Sequence, residues 1–162
     1  MRAKQRGFSL IELLIVVAVI LVIAAIAIPN LLRSRMAANE ASAVASLRSI
    51  NTSQIVYQST FGPGFAANLS SLSDGGAPAN CVAPNVPTST SSCLLDSVLA
   101  SGSKSGYSFT YNPVASGAIV ASYTVTADPA ANIGGARHFF TDNMVVIRVN
   151  PTAVATSADP PI

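Results

Sequence analysis

Residues 8–28 form an uninterrupted apolar run of 21 positions except for Ser9 and Glu12. As a helix, such a run rises about 32 Å, close to the thickness of a bilayer core. Arg2, Lys4 and Arg6 stand directly before it. Basic residues at one end of an apolar span stay on the cytoplasmic side, so the long C-terminal part is expected to be translocated. Three arrangements satisfy this pattern. The run is a permanent single-span anchor, or a secretory signal peptide cut near Ala25-Ile26-Ala27, or a block kept after a short basic leader is removed in front of it.

Glu12 separates the three. A carboxylate inside an apolar helix costs at least a few kcal/mol unless it is protonated or paired. Neither an anchor nor a signal peptide needs one. A filament does. Cutting after Gly7 places a new α-amine on Phe8, about one helical turn from Glu12. In a bundle of such helices, the amine of one subunit meets Glu12 of another. Each offsets the other's burial, and the pair sets axial register as a buried polar group does in a coiled coil.

The segment KQRGFSLIELLIVVAVILVIAAIAIPNLL resembles the N-terminus of type IVa pilins and type II secretion pseudopilins. The shared pattern is a basic leader, Gly7, Phe8, a hydrophobic block with Glu12 near its start, and Pro29 near its end. The resemblance implies that a prepilin peptidase cuts Gly7–Phe8, that Phe8 becomes the N-methylated first residue, and that Glu12 is the assembly carboxylate. The partners it implies are identical or related subunits in a helical polymer, the peptidase, an inner-membrane assembly platform and, before assembly, the membrane itself. The precursor is then a single-pass inner-membrane protein with a cytoplasmic N-terminus, and the product an extracellular filament. A pilus subunit is the main expectation; a type II secretion pseudopilin and a tip subunit acting in adhesion or DNA uptake are the alternatives. Pro29 cannot donate to the Ala25 carbonyl and its ring crowds that turn, so a kink or local opening is expected there. Leu21 stands where many relatives carry glycine, which predicts a shorter melted stretch.

Beyond the block, the pattern predicts an α+β fold. The helix is expected to continue to about residue 60, stopped by Gly62-Pro63-Gly64. Its apolar half, residues 8–29, is expected to protrude, and its amphipathic half, residues 30–61, to pack on a four-stranded antiparallel sheet. Ala43, Leu47, Ile50, Gln54, Tyr57 and Phe61 recur at steps of three and four and form the packing face, with Gln54 its odd polar member. Arg33, Arg35, Glu40 and Arg48 are read as off that face, either solvated or in contact with other subunits. Residues 62–104 form a variable loop region, with short helices expected at 69–72 and 94–100. A Ser/Thr run at 88–92 is exposed or glycosylated. From about residue 105 the period becomes two: 107–111, 119–126, 137–141 and 144–149 read as strands within 105–150, with Asp142-Asn143 as a tight hairpin turn. Relatives commonly carry glycine in this turn region, where this chain has Met144 and Val145. A tail follows at 151–162.

Cys81 and Cys93 stand twelve positions apart in a Pro-, Ser- and Thr-rich stretch. Too few ligands accompany them for a metal site, and the spacing is not that of a redox pair. A structural disulfide is the favoured reading, against two unpaired thiols. It is worth roughly 3 kcal/mol in the chain-entropy model and calls for an oxidising compartment. The formal charge of +2 depends on the leader. Without Arg2, Lys4 and Arg6, six basic side chains face seven acidic ones, a side-chain net of −1, so a nucleic-acid partner is not indicated. No phosphate loop, nucleophile triad or paired-carboxylate set is visible. His138, the single histidine, reads as structural. The resemblance to pseudopilins, some of which hold calcium in a C-terminal loop, raises Asp128, Asp142 and Asn143 as calcium ligands, but they lack an EF-hand's spacing, and neither a metal nor a cofactor is expected.

Overall fold

The computed structural model describes residues 8–131 and 134–162. The chain divides into two compact units, Met1–Arg35 and Met36–Ile162, with helix α1 (Leu10–Phe61) running through the boundary. Gly7 lies outside the described residues.

In the first unit, α1 starts where Ser9 O accepts the amides of Glu12 (3.1 Å) and Leu13 (3.2 Å). Every described side chain up to Arg35 is exposed, apart from half-buried Ala24. The helix is continuous through Pro29.

In the second unit, α1 carries the buried stripe Ala43, Leu47, Ile50 and Gln54, with Tyr57 and Phe61 half-buried. It packs with an antiparallel sheet of order β1-β2-β3-β4-β5: Ser103–Lys104, Tyr107–Ser116, Ile119–Pro129, His138–Asp142 and Arg148–Asn150. The period-two pattern places Tyr107, Phe109, Tyr123, Val125, Ala127 and Phe139 in the core. The unit also holds a 3-10 turn at Pro78–Cys81 and two short α-helices, α2 (Leu69–Leu72) and α3 (Ser97–Ala100), capped by Asn68 and Asp96 through their side-chain oxygens.

Gln54 and Asn51 explain how amides sit in this core. Gln54 Nε2 donates to Tyr111 Oη at 2.8 Å and its Oε1 accepts the Ala66 amide at 2.9 Å. Asn51 Nδ2 donates to Thr141 Oγ1 at 2.8 Å, and its Oδ1 accepts from Tyr123 Oη at 3.0 Å. Both amides are satisfied, which makes their burial tolerable, and they pin the helix register on the sheet.

Several features depart from the pattern-based expectation, among them the Ser/Thr run at 88–92, whose Ser91 and Ser92 are buried rather than exposed. The sheet has five strands rather than four, because residues 103–104 pair with β2. The expected helix at 94–100 begins only at Ser97, since the Leu94 and Leu95 amides donate to Leu72 O at 2.8 Å. The expected strand at 144–149 shrinks to Arg148–Asn150. Its first residues form a turn in which Val145 N donates to Asp142 O at 2.9 Å and Val145 adopts φ +64°. The glycine-like conformation is thus kept by a valine. The tail folds back on β5, with Val149 N donating to Pro160 O and Ile162 N to Ile147 O.

Candidate assembly site

Phe8 and Glu12 are the chemically distinctive residues of the first unit. Phe8 stands two positions before the first helical residue, Leu10, and is 75% exposed; Glu12 lies in the helix's first turn, where a carboxylate is favoured by the helix dipole. Around and beyond it the surface is hydrocarbon: Leu13, Leu14, Ile15, Ile20, Leu21 and Ile26 are all more than half exposed. Leu14, Ile15, Ala18, Val19, Val22 and Ile23 line a shallow apolar groove of about 320 Å³ down one helix face. Such a surface has to be covered by lipid or by other helices. The Gly7–Phe8 bond is only half within the described residues, so its geometry is not part of the site as seen.

Cys81 and Cys93 are joined, with Cα atoms 5.6 Å apart. Arg33, Arg35 and Arg48 are exposed. Glu40 is not, and here the sequence reading is corrected. Glu40 Oε2 lies 2.8 Å from Arg137 Nε and 2.7 Å from Nη2. Its Oε1 accepts the Ala136 amide at 2.9 Å and the Arg137 amide at 3.3 Å. The residue therefore clamps α1 to the segment leading into β4, inside one chain. Burial pushes the Glu40 carboxyl up, but the Arg137 hydrogen bond, the two amides and the Arg137 charge outweigh it and hold it below its ordinary value of 4.5. Next to it, Tyr107 Oη donates to Arg137 O at 2.9 Å. Burial and the Glu40 charge push that phenol up to about 12. A Cβ at position 135 would overlap both Glu40 and the Tyr107 hydroxyl, so glycine is required there. The signal was present in the sequence: position 40 is three before Ala43 and extends the buried stripe by one turn.

His138 Nδ1 lies 2.6 Å from Asp128 Oδ1. Asp142 Oδ1 accepts the Met144 amide at 2.9 Å. These carboxylates are engaged locally, and among the described residues no group of three or more His, Cys, Asp or Glu side chains is placed to hold a metal.

A bilayer-length N-terminal helix with one early carboxylate, continued into a helix packed on an antiparallel sheet, defines a pilin-like α+β protein. Residues 2–28 match the family model described as the prokaryotic N-terminal methylation motif. The chain is similar to the type IV wide pilus major component PilA4 of Thermus thermophilus, 47% identical over 55 residues, which cover 34% of this chain and 42% of that protein. It is also similar to the type IV major pilin protein PilA of Myxococcus xanthus, 45% identical over 51 residues, covering 32% of this chain and 23% of the relative. The chain thus spans less than half the length of either curated relative. No solved structure gives a significant match.

Proposed function

We propose that this chain is the structural subunit of a type IV pilus. In this reading it is made as an inner-membrane precursor, cut at Gly7–Phe8 by a prepilin peptidase, methylated on Phe8, and polymerised through its N-terminal helix into an extracellular filament. The observation that carries the reading is Glu12, a carboxylate in the first turn of α1, whose stretch to residue 28 is otherwise apolar and largely exposed and falls within the methylation motif. Apolar burial between helices supplies the cohesion. The new α-amine of one subunit and Glu12 of another supply register, because any other axial offset leaves a charge buried without a partner. Pro29 is proposed to let the helix open near Ala25 once it is packed, since that carbonyl lacks its helical donor.

Filament yield from a Glu12→Leu strain tests the pairing. The variant subunit is expected to be cleaved and membrane-held, yet to give at least about tenfold fewer filaments, since an unpaired buried amine costs several kcal/mol per subunit. Filaments at wild-type numbers would falsify the pairing.

A further inference from the structure

The disulfide-closed loop contains a second site of different chemistry. Asn80, Asn85, Val86, Thr88, Thr90 and Ser91 line a concavity of about 330 Å³, at the small end of ligand pockets. None of the lining side chains is charged or aromatic, and Val86 is the single apolar one. That lining offers nothing to neutralise a phosphate, no carboxylate for a divalent cation, no face for stacking and too little hydrocarbon for a lipid chain. It offers carboxamides and hydroxyls in close array.

These groups are held in place. Asn80 Nδ2 donates to Asp74 O and Asn85 Nδ2 to Ala79 O, both at 2.8 Å, which fixes each carboxamide. Thr88 Oγ1 and Thr90 Oγ1 lie 3.2 Å apart. Thr88 and Ser91 exchange backbone hydrogen bonds at 2.9 and 3.1 Å, and Tyr57 Oη ties the intervening Ser89 carbonyl to α1 at 2.8 Å. Cys81–Cys93 closes the loop. Behind this rim the Ser91 hydroxyl is buried and has no hydrogen-bond partner among the described residues. A buried hydroxyl without a partner is costly, and Ser91 is one of the residues that line the concavity.

We infer that this concavity is a binding site for a neutral saccharide of about one sugar ring, with Asn80, Asn85, Thr88 and Thr90 meeting ring hydroxyls and Val86 packing on the C–H face. The site belongs to the second unit and does not depend on the polymer. In a filament it would be repeated on every subunit, so that weak single contacts to a polysaccharide add up by avidity.

The test is an amide chemical-shift titration of the ¹⁵N-labelled full chain in dodecylphosphocholine micelles, which carry no sugar headgroup. The probes are the methyl glycosides of glucose, galactose, mannose and N-acetylglucosamine, with glucose 6-phosphate as the charged comparison. Saturable shifts at residues 80–91 with at least one neutral glycoside are expected, with a millimolar Kd, the scale for so few ligand atoms. The Thr88→Val/Thr90→Val double variant keeps side-chain shape at two exposed positions, and should weaken binding by at least about tenfold at unchanged Tm. Ser91→Ala should weaken binding while leaving Tm equal or higher. No saturable shift with any neutral glycoside, tighter binding of glucose 6-phosphate, or equal binding by the double variant would each overturn the assignment.

Discussion

Val145 shows at residue scale how a position can contradict its own chemistry. A β-branched side chain at φ +64° is strained, and glycine adopts that region freely. Val145→Gly is therefore expected to raise stability by about 1 kcal/mol, read as a higher urea midpoint at unchanged m-value. Gly135 is the converse case. Gly135→Ala pushes a methyl into Glu40 and the Tyr107 hydroxyl and should cost about 1–3 kcal/mol. Glu40 also makes stability depend on pH in a definite direction. Its carboxyl titrates lower in the folded chain than in the unfolded one. Its contribution is thus fully present above about pH 4.5 and is lost as pH falls through the lower folded value. The acid limb of a stability–pH curve should flatten in Glu40→Gln, and an unchanged limb would mean that another carboxylate governs it.

At the scale of elements, the α1–sheet contact is held by amides as well as by hydrocarbon. Asn51→Ala removes both the donor to Thr141 and the acceptor for Tyr123. It should destabilise by about 2–3 kcal/mol, more than a surface substitution, because two buried groups lose their partner. The loop depends on its crosslink: Cys81→Ser/Cys93→Ser is expected to lower unfolding free energy by roughly 3 kcal/mol. Much of this was readable beforehand. The stripe from Ala43 to Gln54, the alternation in β2 and β3, and the cysteine pair are periodic or compositional signals that report local structure directly. What escaped is non-local. Glu40 meets Arg137 across 97 positions, so nothing near Glu40 in the chain names its partner, although its place on the stripe betrayed its burial. The start of β5 escaped for a different reason. Residues 144–147 have the β-propensity of a strand, and the turn drawn by Asp142 overrides it.

In the whole molecule, the described part of the first unit is an exposed apolar helical stretch, and the second unit holds a carboxylate, Glu40, paired within the chain. The contrast between the two glutamates carries the account. Glu40 finds its cation within the chain, whereas Glu12 is proposed to meet one that would exist only after processing and on another copy. The pairing proposed for Glu12 requires that the leader be cut in front of the apolar block and that the block be kept. Mass spectrometry of the mature protein's N-terminal peptide tests that requirement most directly. The account predicts N-methylated Phe8 as the first residue, with residues 8–28 retained. A mature chain starting at Ile28, or one that keeps Met1 through Gly7 in assembled filaments, would contradict it.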